Sequence, residues 1–393
     1  MYEGNENFIK VFKDESEMAT FLTIKDGGAK WHTIDLTGAS LLELDEGPMT
    51  ISDTVKKLNL KVSEDAIASV GLSDQKDASH TVLRDSYGGK TYLMSNSGRR
   101  DFLERAGAAC PLINKVPTGT AFDFVNKGLP FLKGKKVLLK EEDEKLWCCH
   151  GANYSILPIG ELFEAMTNAS LGFNNPRFIH GTYTHEFVSA RWECQDDKVS
   201  EAYKEYAFEA TGNIYDHFFP VIYFSTSDVG DSCATAHAEL SDGKRFIQIG
   251  SPIRLKHNAG ATIDKFEQLL DGLFAAYKKG MNELQELYNL KIEYPLNCAM
   301  NIEHAMNVSI PCMKAAVDMF GDMFTSGQPT TASEVFFLLQ EGLYLMERGN
   351  KGTLKENKSM ALQVREGLTR VLAKSFKWEE YDSPTIFNSK SKK

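Results

Sequence analysis

Around Ala261 the hydrophobic pattern of this chain changes its period, and that change bounds the fold more tightly than any single motif. Upstream, residues 176–260 carry short alternating or wholly apolar runs: RFIHGTYTHEFVSARW, FFPVIYFSTSD, SCATAHAEL, and KRFIQIGSPIRL after the turn Ser241-Asp242-Gly243. A period of two sends successive side chains to opposite faces of a strand, and strands separated by turn residues predict an antiparallel meander. Downstream, Ile263, Phe266, Leu270, Leu273, Tyr277, Met281, Leu284 and Leu287 recur at steps of three and four. That is one face of a helix, and the pattern predicts a single helix of roughly 28 residues, about 40 Å long. Further helices are expected over about 311–324, 331–347 and 358–375, separated by Gly327-Gln328-Pro329 and Gly349-Asn350.

Before the meander, TVLRD, KTYLM and KKVLLK read as strands with turns at YGGK and LKGK. SGRRDFLERAG reads as a helix capped by Ser97, KLWCCHGANYSILP as a strand and loop, and GELFEAMTNASLG as an amphipathic helix. Within residues 1–80, short helices are expected from Ser52 to about Leu60 and from Ser63 to Val70. The expectation is an α+β fold with a mostly antiparallel sheet core and a helical C-terminal third. Its parts are a small N-terminal region (1–80), a β-rich core (81–260) and a helical region (261–393).

Composition fits a packed chain, with 42% hydrophobic and 25% charged residues. No run of 18 apolar residues occurs, so a spanning helix and a membrane partner are not expected. The acidic start MYEGNENFIKVFKDESE lacks the basic flank and apolar stretch of a secretory signal. Seven irregularly spaced cysteines, an odd number, read as free thiols in a reducing compartment. Together these give an expectation of a cytoplasmic protein.

The net charge of −10 argues against non-specific binding of polyanions by the whole surface, but it is unevenly distributed. Residues 84–140 hold 11 basic and 4 acidic residues, a net of +7. Arg84, Lys90, Arg99, Arg100, Arg105, Lys115, Lys127, Lys133, Lys135, Lys136 and Lys140 alternate there with Tyr87, Tyr92, Phe102, Phe122, Phe124 and Phe131. Cations neutralise phosphates and aromatic faces stack unpaired bases. Of these, Arg99, Arg100, Arg105, Lys127, Lys133, Lys135 and Lys136 are the candidate nucleic-acid contacts. The plainer reading makes the aromatics core residues and the lysines turn decoration.

Catalytic motifs are missing. Gly89-Lys90-Thr91 ends like a phosphate-binding loop, but the required upstream glycine is Arg84. His185-Glu186 begins a zinc-protease motif whose second histidine would be Ser189. No catalytic residue and no cofactor is assigned, and the chain leans away from an enzyme. One polar loop stands out, Ser225 to Ser232, in which Ser227, Asp228, Gly230 and Asp231 read first as a hairpin connection with an Asx-type turn and alternatively as a ligand-facing loop. His237 and His257 lie on neighbouring strand candidates and are weak metal-ligand candidates.

Three segments, LWCCHGANYSILPIGELFEAM, FSTSDVG with SCATAHAEL, and IQIGSPIRLKHNAGATIDKF, resemble the phage- and plasmid-encoded family called domain of unknown function 932. The resemblance covers roughly residues 80–290. It implies a mobile-element accessory protein in a bacterial host, near recombination functions, and carries over no catalytic residue. The leading expectation is therefore a non-enzymatic protein that binds single-stranded DNA or RNA as a homo-oligomer. The alternatives are a protein–protein module, such as an inhibitor of a host defence complex or a particle component, and a metal-dependent hydrolase or nuclease.

Overall fold

The computed structural model describes residues 8–43, 81–113, 115–142, 145–195, 219–227, 233–241, 246–306, 329–348 and 375–386. It also describes isolated positions at 201, 204–205, 229, 308, 314, 317–318, 367–368 and 370–372. The helices expected over 52–70 and about 311–324 lie outside the described residues or nearly so, as does most of the one over 358–375. The fold is α+β, built on two six-stranded sheets.

Sheet I is the predicted meander. Strands β8 (Arg177–Thr184), β9 (Val188–Glu193), β10 (Phe219–Thr226), β11 (Ala234–Ser241) and β12 (Phe246–Leu255) follow one another in antiparallel pairs. β1 (Ile9–Phe12) adds an edge beside β8. On one face Ala190, Trp192, Ile222, Phe224, Ala234 and Ala236 meet helices α1 (Glu15–Gly28), α4 (Ile159–Ser170) and α5 (Ile263–Leu270). Helix α1 presents Met18, Phe21, Leu22 and Lys25 inward, an i, i+3, i+4, i+7 stripe, and Asp14 caps its start by accepting from the Glu17 amide at 2.7 Å. Asp26 then caps α4, accepting from the amides of Ile159 (3.0 Å) and Gly160 (2.6 Å). Gly160 is required there, since a Cβ would lie 2.8 Å from the Asp26 carboxylate and 3.3 Å from the Thr23 backbone.

Sheet II has the order β2 (Lys30–Asp35), β6 (Lys136–Glu142), β7 (Lys145–Gly151), β5 (Lys90–Met94), β4 (Thr81–Asp85), β3 (Ala39–Glu43). The YGGK turn closes the β4–β5 hairpin, with positive φ at Gly89, and the LKGK turn leads from a 3-10 turn into β6, with positive φ at Gly134; glycine alone is unstrained at both. Helices α2 (Asn96–Arg105) and α3 (Thr118–Gly128) cover one face of this sheet through Phe102, Leu103, Ala121, Phe122 and Val125. Asn126 of α3 mimics a strand at the β3 edge: its Oδ1 accepts from the Leu41 amide (2.7 Å) and its Nδ2 donates to the Leu41 carbonyl (2.8 Å). Residues 9–43 thus supply three edge strands, β1 to sheet I and β2 and β3 to sheet II.

The helical content departs from expectation in two ways. Four helices, α1–α4, precede residue 171, so helix is not confined to the last third. The expected 28-residue helix is two, α5 and α6 (Leu273–Leu287), broken at Asp271-Gly272. The break has a packing reason. Phe266, Leu270 and Leu273 belong to the sheet I core, whereas Leu284 and Leu287 belong to a C-terminal core with α7 (Pro295–Ala305) and α8 (Ala332–Arg348). One straight helix face does not reach both. Ser95, not Ser97, caps α2, accepting from the Gly98 amide at 2.9 Å.

The sheets are joined by a buried ion cluster. Glu142 of β6 takes the Lys25 ammonium of α1 at 2.8 Å and the Lys140 ammonium at 3.2 Å, with all three side chains at most 6% exposed. Burial alone would raise the Glu142 carboxyl, but Lys140 and Lys25 outweigh it and hold it below the ordinary carboxylate value. Beside it the His185 ring of the β8–β9 turn stacks on Trp147 of β7, with centroids 3.7 Å apart.

Replacing Glu142 by Gln removes the carboxylate that two buried ammonium groups share. Urea unfolding should show a loss of roughly 3–5 kcal/mol, with most of it recovered in a K25M/E142L/K140M variant. Because the folded pKa is depressed, the contribution is complete above the unfolded value and is lost as pH falls through the folded one. Glu303 on α7 behaves in the opposite sense: burial pushes its carboxyl up to about 8. Its contribution is complete below 4.5 and declines as pH rises through about 8. Glu303→Gln should therefore be more stable than the parent at pH 9, by on the order of 1–4 kcal/mol, and should flatten the alkaline limb of a melting-temperature profile.

Candidate functional site

The basic segment divides by burial. Tyr92, Phe102 and Phe122 are core residues, and burial, with Glu141 and Asp85 adding to it, pushes the Tyr92 phenol up to about 12. Lys140 is internal, in the ion cluster. Lys90 lies 3.8 Å from Glu141, and Arg105 turns back towards the Cys149 carbonyl (3.5 Å) at the end of α2. These six side chains are core aromatics or cations with a partner within the chain.

The rest of the segment faces outward. Phe124 is 69% exposed and Phe131 is 84% exposed. Phe124 and Lys127 are three residues apart on the outer side of α3, and Phe131 follows one turn later in a 3-10 turn, Leu129–Phe131. Lys127, Lys133, Lys135 and Lys136 are exposed along the same continuous stretch. It carries no acidic residue between 124 and 140. Burial decides why α3 points these rings to water: its inward stripe is already filled by Ala121, Phe122 and Val125, and Asn126 is held by β3. Strand β6 and the β2 edge fix the lysine turn, through the amide of Lys135 to the Leu132 carbonyl (3.1 Å) and of Leu36 to the Lys135 carbonyl (3.0 Å).

Arg99 and Arg100 are on α2, beside a different feature. They line an open cleft of 530 Å³ together with Asn96, Leu103, Cys110 and Ile113.

The polar loop after β10 is described only in part. Ser225, Thr226 and Ser227 are buried, and Val229 packs on Trp147 and Cys148 of sheet II. Asp228, Gly230 and Asp231 lie outside the described residues. His237 and His257 are each committed elsewhere. His237 Nε2 bonds Glu239 (3.1 Å), which also takes Arg191 Nε (2.7 Å). His257 Nδ1 bonds the Tyr154 hydroxyl at 3.0 Å. No group of three or more His, Cys, Asp or Glu side chains among the described residues is arranged to hold a metal ion.

Two buried polar clusters escaped the sequence reading. On the second face of sheet I, Arg191 is held between the rings of Tyr223 and Phe246, 4.4 Å from each, and pairs with the buried Glu239. Register places His180, Arg191, Tyr223 and His237 in one row across four strands and Ser189, Ser225 and Thr235 in the next. At the junction of the sheets, Cys148 Sγ and His150 Nε2 are 3.1 Å apart, and the His150 ring stacks on Tyr154 at 3.7 Å. The i, i+2 spacing of Cys148 and His150 in a strand was the available signal. The partners Tyr154 and His257 are 103 residues apart, and no local pattern links them.

No family model matches the chain, and no curated protein or solved structure matches it. No helix among the described residues is long and apolar enough to cross a membrane.

Exposure and thiol environment together set an order of reactivity. Burial pushes the Cys149 thiol well above its ordinary value and that of Cys298 up to about 12, while Cys110 is exposed. Iodoacetamide at pH 8 should modify Cys110 in the native protein, and should leave Cys148, Cys149 and Cys298 unmodified until denaturant is added, as read by peptide mass spectrometry.

Proposed function

We propose that the surface formed by α3 and the turn after it, residues 124–136, binds single-stranded nucleic acid. The observation that carries this reading is the pair of exposed phenylalanines, Phe124 and Phe131, set among four exposed lysines. Exposed aromatic rings gain nothing from packing within the chain. They have the flat apolar faces on which unpaired bases stack, irrespective of sequence, and the neighbouring ammonium groups supply phosphate neutralisation. The surface rests on a covered sheet face and on the Asn126 clamp, so its geometry is held by packing and not by a free loop. The role proposed is an accessory one on single strands, sequence-tolerant and non-catalytic.

The test is fluorescence anisotropy of full-length protein with a labelled oligothymidylate at two salt concentrations. Phe124→Ala and Phe131→Ala should each weaken binding by roughly 1–3 kcal/mol. Removing Lys133, Lys135 and Lys136 together should lower the slope of log affinity against log salt by about 2, at about 0.7 per phosphate contact. Absence of binding at low salt, or binding indifferent to both phenylalanines, contradicts the reading and directs attention to a protein partner for the same rings.

A further inference from the structure

Sheet II curls, and the curl brings a third exposed ring to the phenylalanine–lysine surface. Strands β2 and β3 are the two outermost strands of the sheet, yet only the 3-10 turn Leu36–Gly38 separates them in the chain. In a flat sheet they would lie roughly 24 Å apart, at about 4.8 Å per strand. The chain from Asp35 to Ala39 spans at most about 14 Å. The two edges of the sheet are therefore drawn together at this turn.

Hydrogen bonds fix what meets there. At the start of the turn, the Leu36 amide donates to the Lys135 carbonyl at 3.0 Å, and the β2–β6 register sets Asp35 opposite Lys136. At its end, the Gly38 carbonyl accepts from the Ser86 amide at 2.9 Å, and the β3–β4 register sets Ala39 opposite Asp85. The turn also packs against the 3-10 turn Leu129–Phe131, and Leu36 and Leu129 share the sheet II core. One short turn thus joins Phe131, the lysine turn and the β4–β5 hairpin.

The residue after Ser86 is Tyr87, which is 72% exposed. Its ring nevertheless has a seat. A Cβ at position 38 would lie 2.6 Å from the Tyr87 Cε2 and 2.8 Å from its Cγ, so glycine leaves the space into which the ring settles. The Tyr87 amide donates to Asp85 Oδ1 at 3.1 Å, and the hydroxyl is 3.4 Å from Thr37 Oγ1. Thr37 Oγ1 in turn donates to Asp35 Oδ1 at 2.7 Å. A ring supported by backbone and otherwise open to water is a pre-formed stacking platform, which loses little freedom when a base lands on it.

We infer that Tyr87 is a third base-stacking ring and that the ligand is an extended single strand, running from α3 past the lysine turn onto the β4–β5 hairpin. The inference rests on the reading that residues 124–136 bind single-stranded nucleic acid. A short oligonucleotide would occupy only part of this path, whereas an extended strand meets Phe124 and Phe131, then Lys133, Lys135 and Lys136, then Tyr87. Gly38 is a positioning residue, since it acts only through the ring that it seats.

The test is fluorescence anisotropy of full-length protein with oligothymidylates of increasing length. Tyr87→Ala should weaken the longest strands by roughly five- to a hundredfold and leave unchanged the strands too short to span both groups of rings. Tyr87→Phe keeps the ring and should bind like the parent. The ring carries no charge, so Tyr87→Ala should not alter the slope of log affinity against log salt. Gly38→Ala should weaken long strands by displacing the ring, and should add nothing in a Tyr87→Ala background. Equal affinity of Tyr87→Ala and parent for the longest strands overturns the inference, as does an equal loss at every length. A lowered salt slope in Tyr87→Ala assigns the loss to a disturbed lysine turn and also overturns it. In each of these cases, weakening by Phe124→Ala and Phe131→Ala leaves the surface at 124–136 standing without Tyr87. A parent protein that binds no strand at low salt overturns both.

Discussion

The contact of Glu142 with Lys25 and Lys140 is the constraint on which the arrangement of this protein depends. Lys25 belongs to the helix that covers sheet I, and Glu142 and Lys140 to a strand of sheet II. Each charge is expensive to bury alone and acceptable only in this company. The cluster therefore specifies one relative placement of the two sheets, which apolar packing at the junction would specify less sharply. With that placement fixed, Trp147 meets His185, Val229 meets Cys148, and Tyr154 meets His257. His185 of the β8–β9 turn and Val229 of the β10–β11 connection are buried in that junction.

The burial of these tips explains why the outward chemistry collects on the other side of sheet II. Helices α2 and α3 cover its far face, and their outer surfaces carry the cations and rings that the junction does not use. The cleft at α2 and the phenylalanine–lysine surface at α3 are consequences of one construction: two amphipathic helices on a sheet whose opposite face is occupied. They differ in shape. The α2 cleft lies between that helix and the Cys110–Ile113 turn, whereas the α3 surface is open.

Much of the fold was legible in the sequence because its signals were local. Alternating or wholly apolar runs over 176–260 yield β8 to β12 in consecutive order, and YGGK and LKGK mark turns, the first a hairpin, with glycine at positive φ. What escaped was set by distant partners. The helix after Ala261 keeps its period through Asp271-Gly272, and only the existence of two separate cores explains its break. Basic residues looked alike in a charge count, yet Lys140 is internal and Lys133 is not, because a strand position on the junction side differs from a turn. The histidines could not be paired by spacing, since His237 answers to Glu239 two residues away and His257 to Tyr154 in another part of the chain.

Hydrogen–deuterium exchange of the full-length protein, with and without an oligothymidylate, addresses the central claim most directly, since it maps the contact without altering any residue. The account predicts slowed exchange over residues 121–136, with the sheet I strands β9 to β11 unchanged. Protection centred on those strands, or on no segment of sheet II, would contradict it.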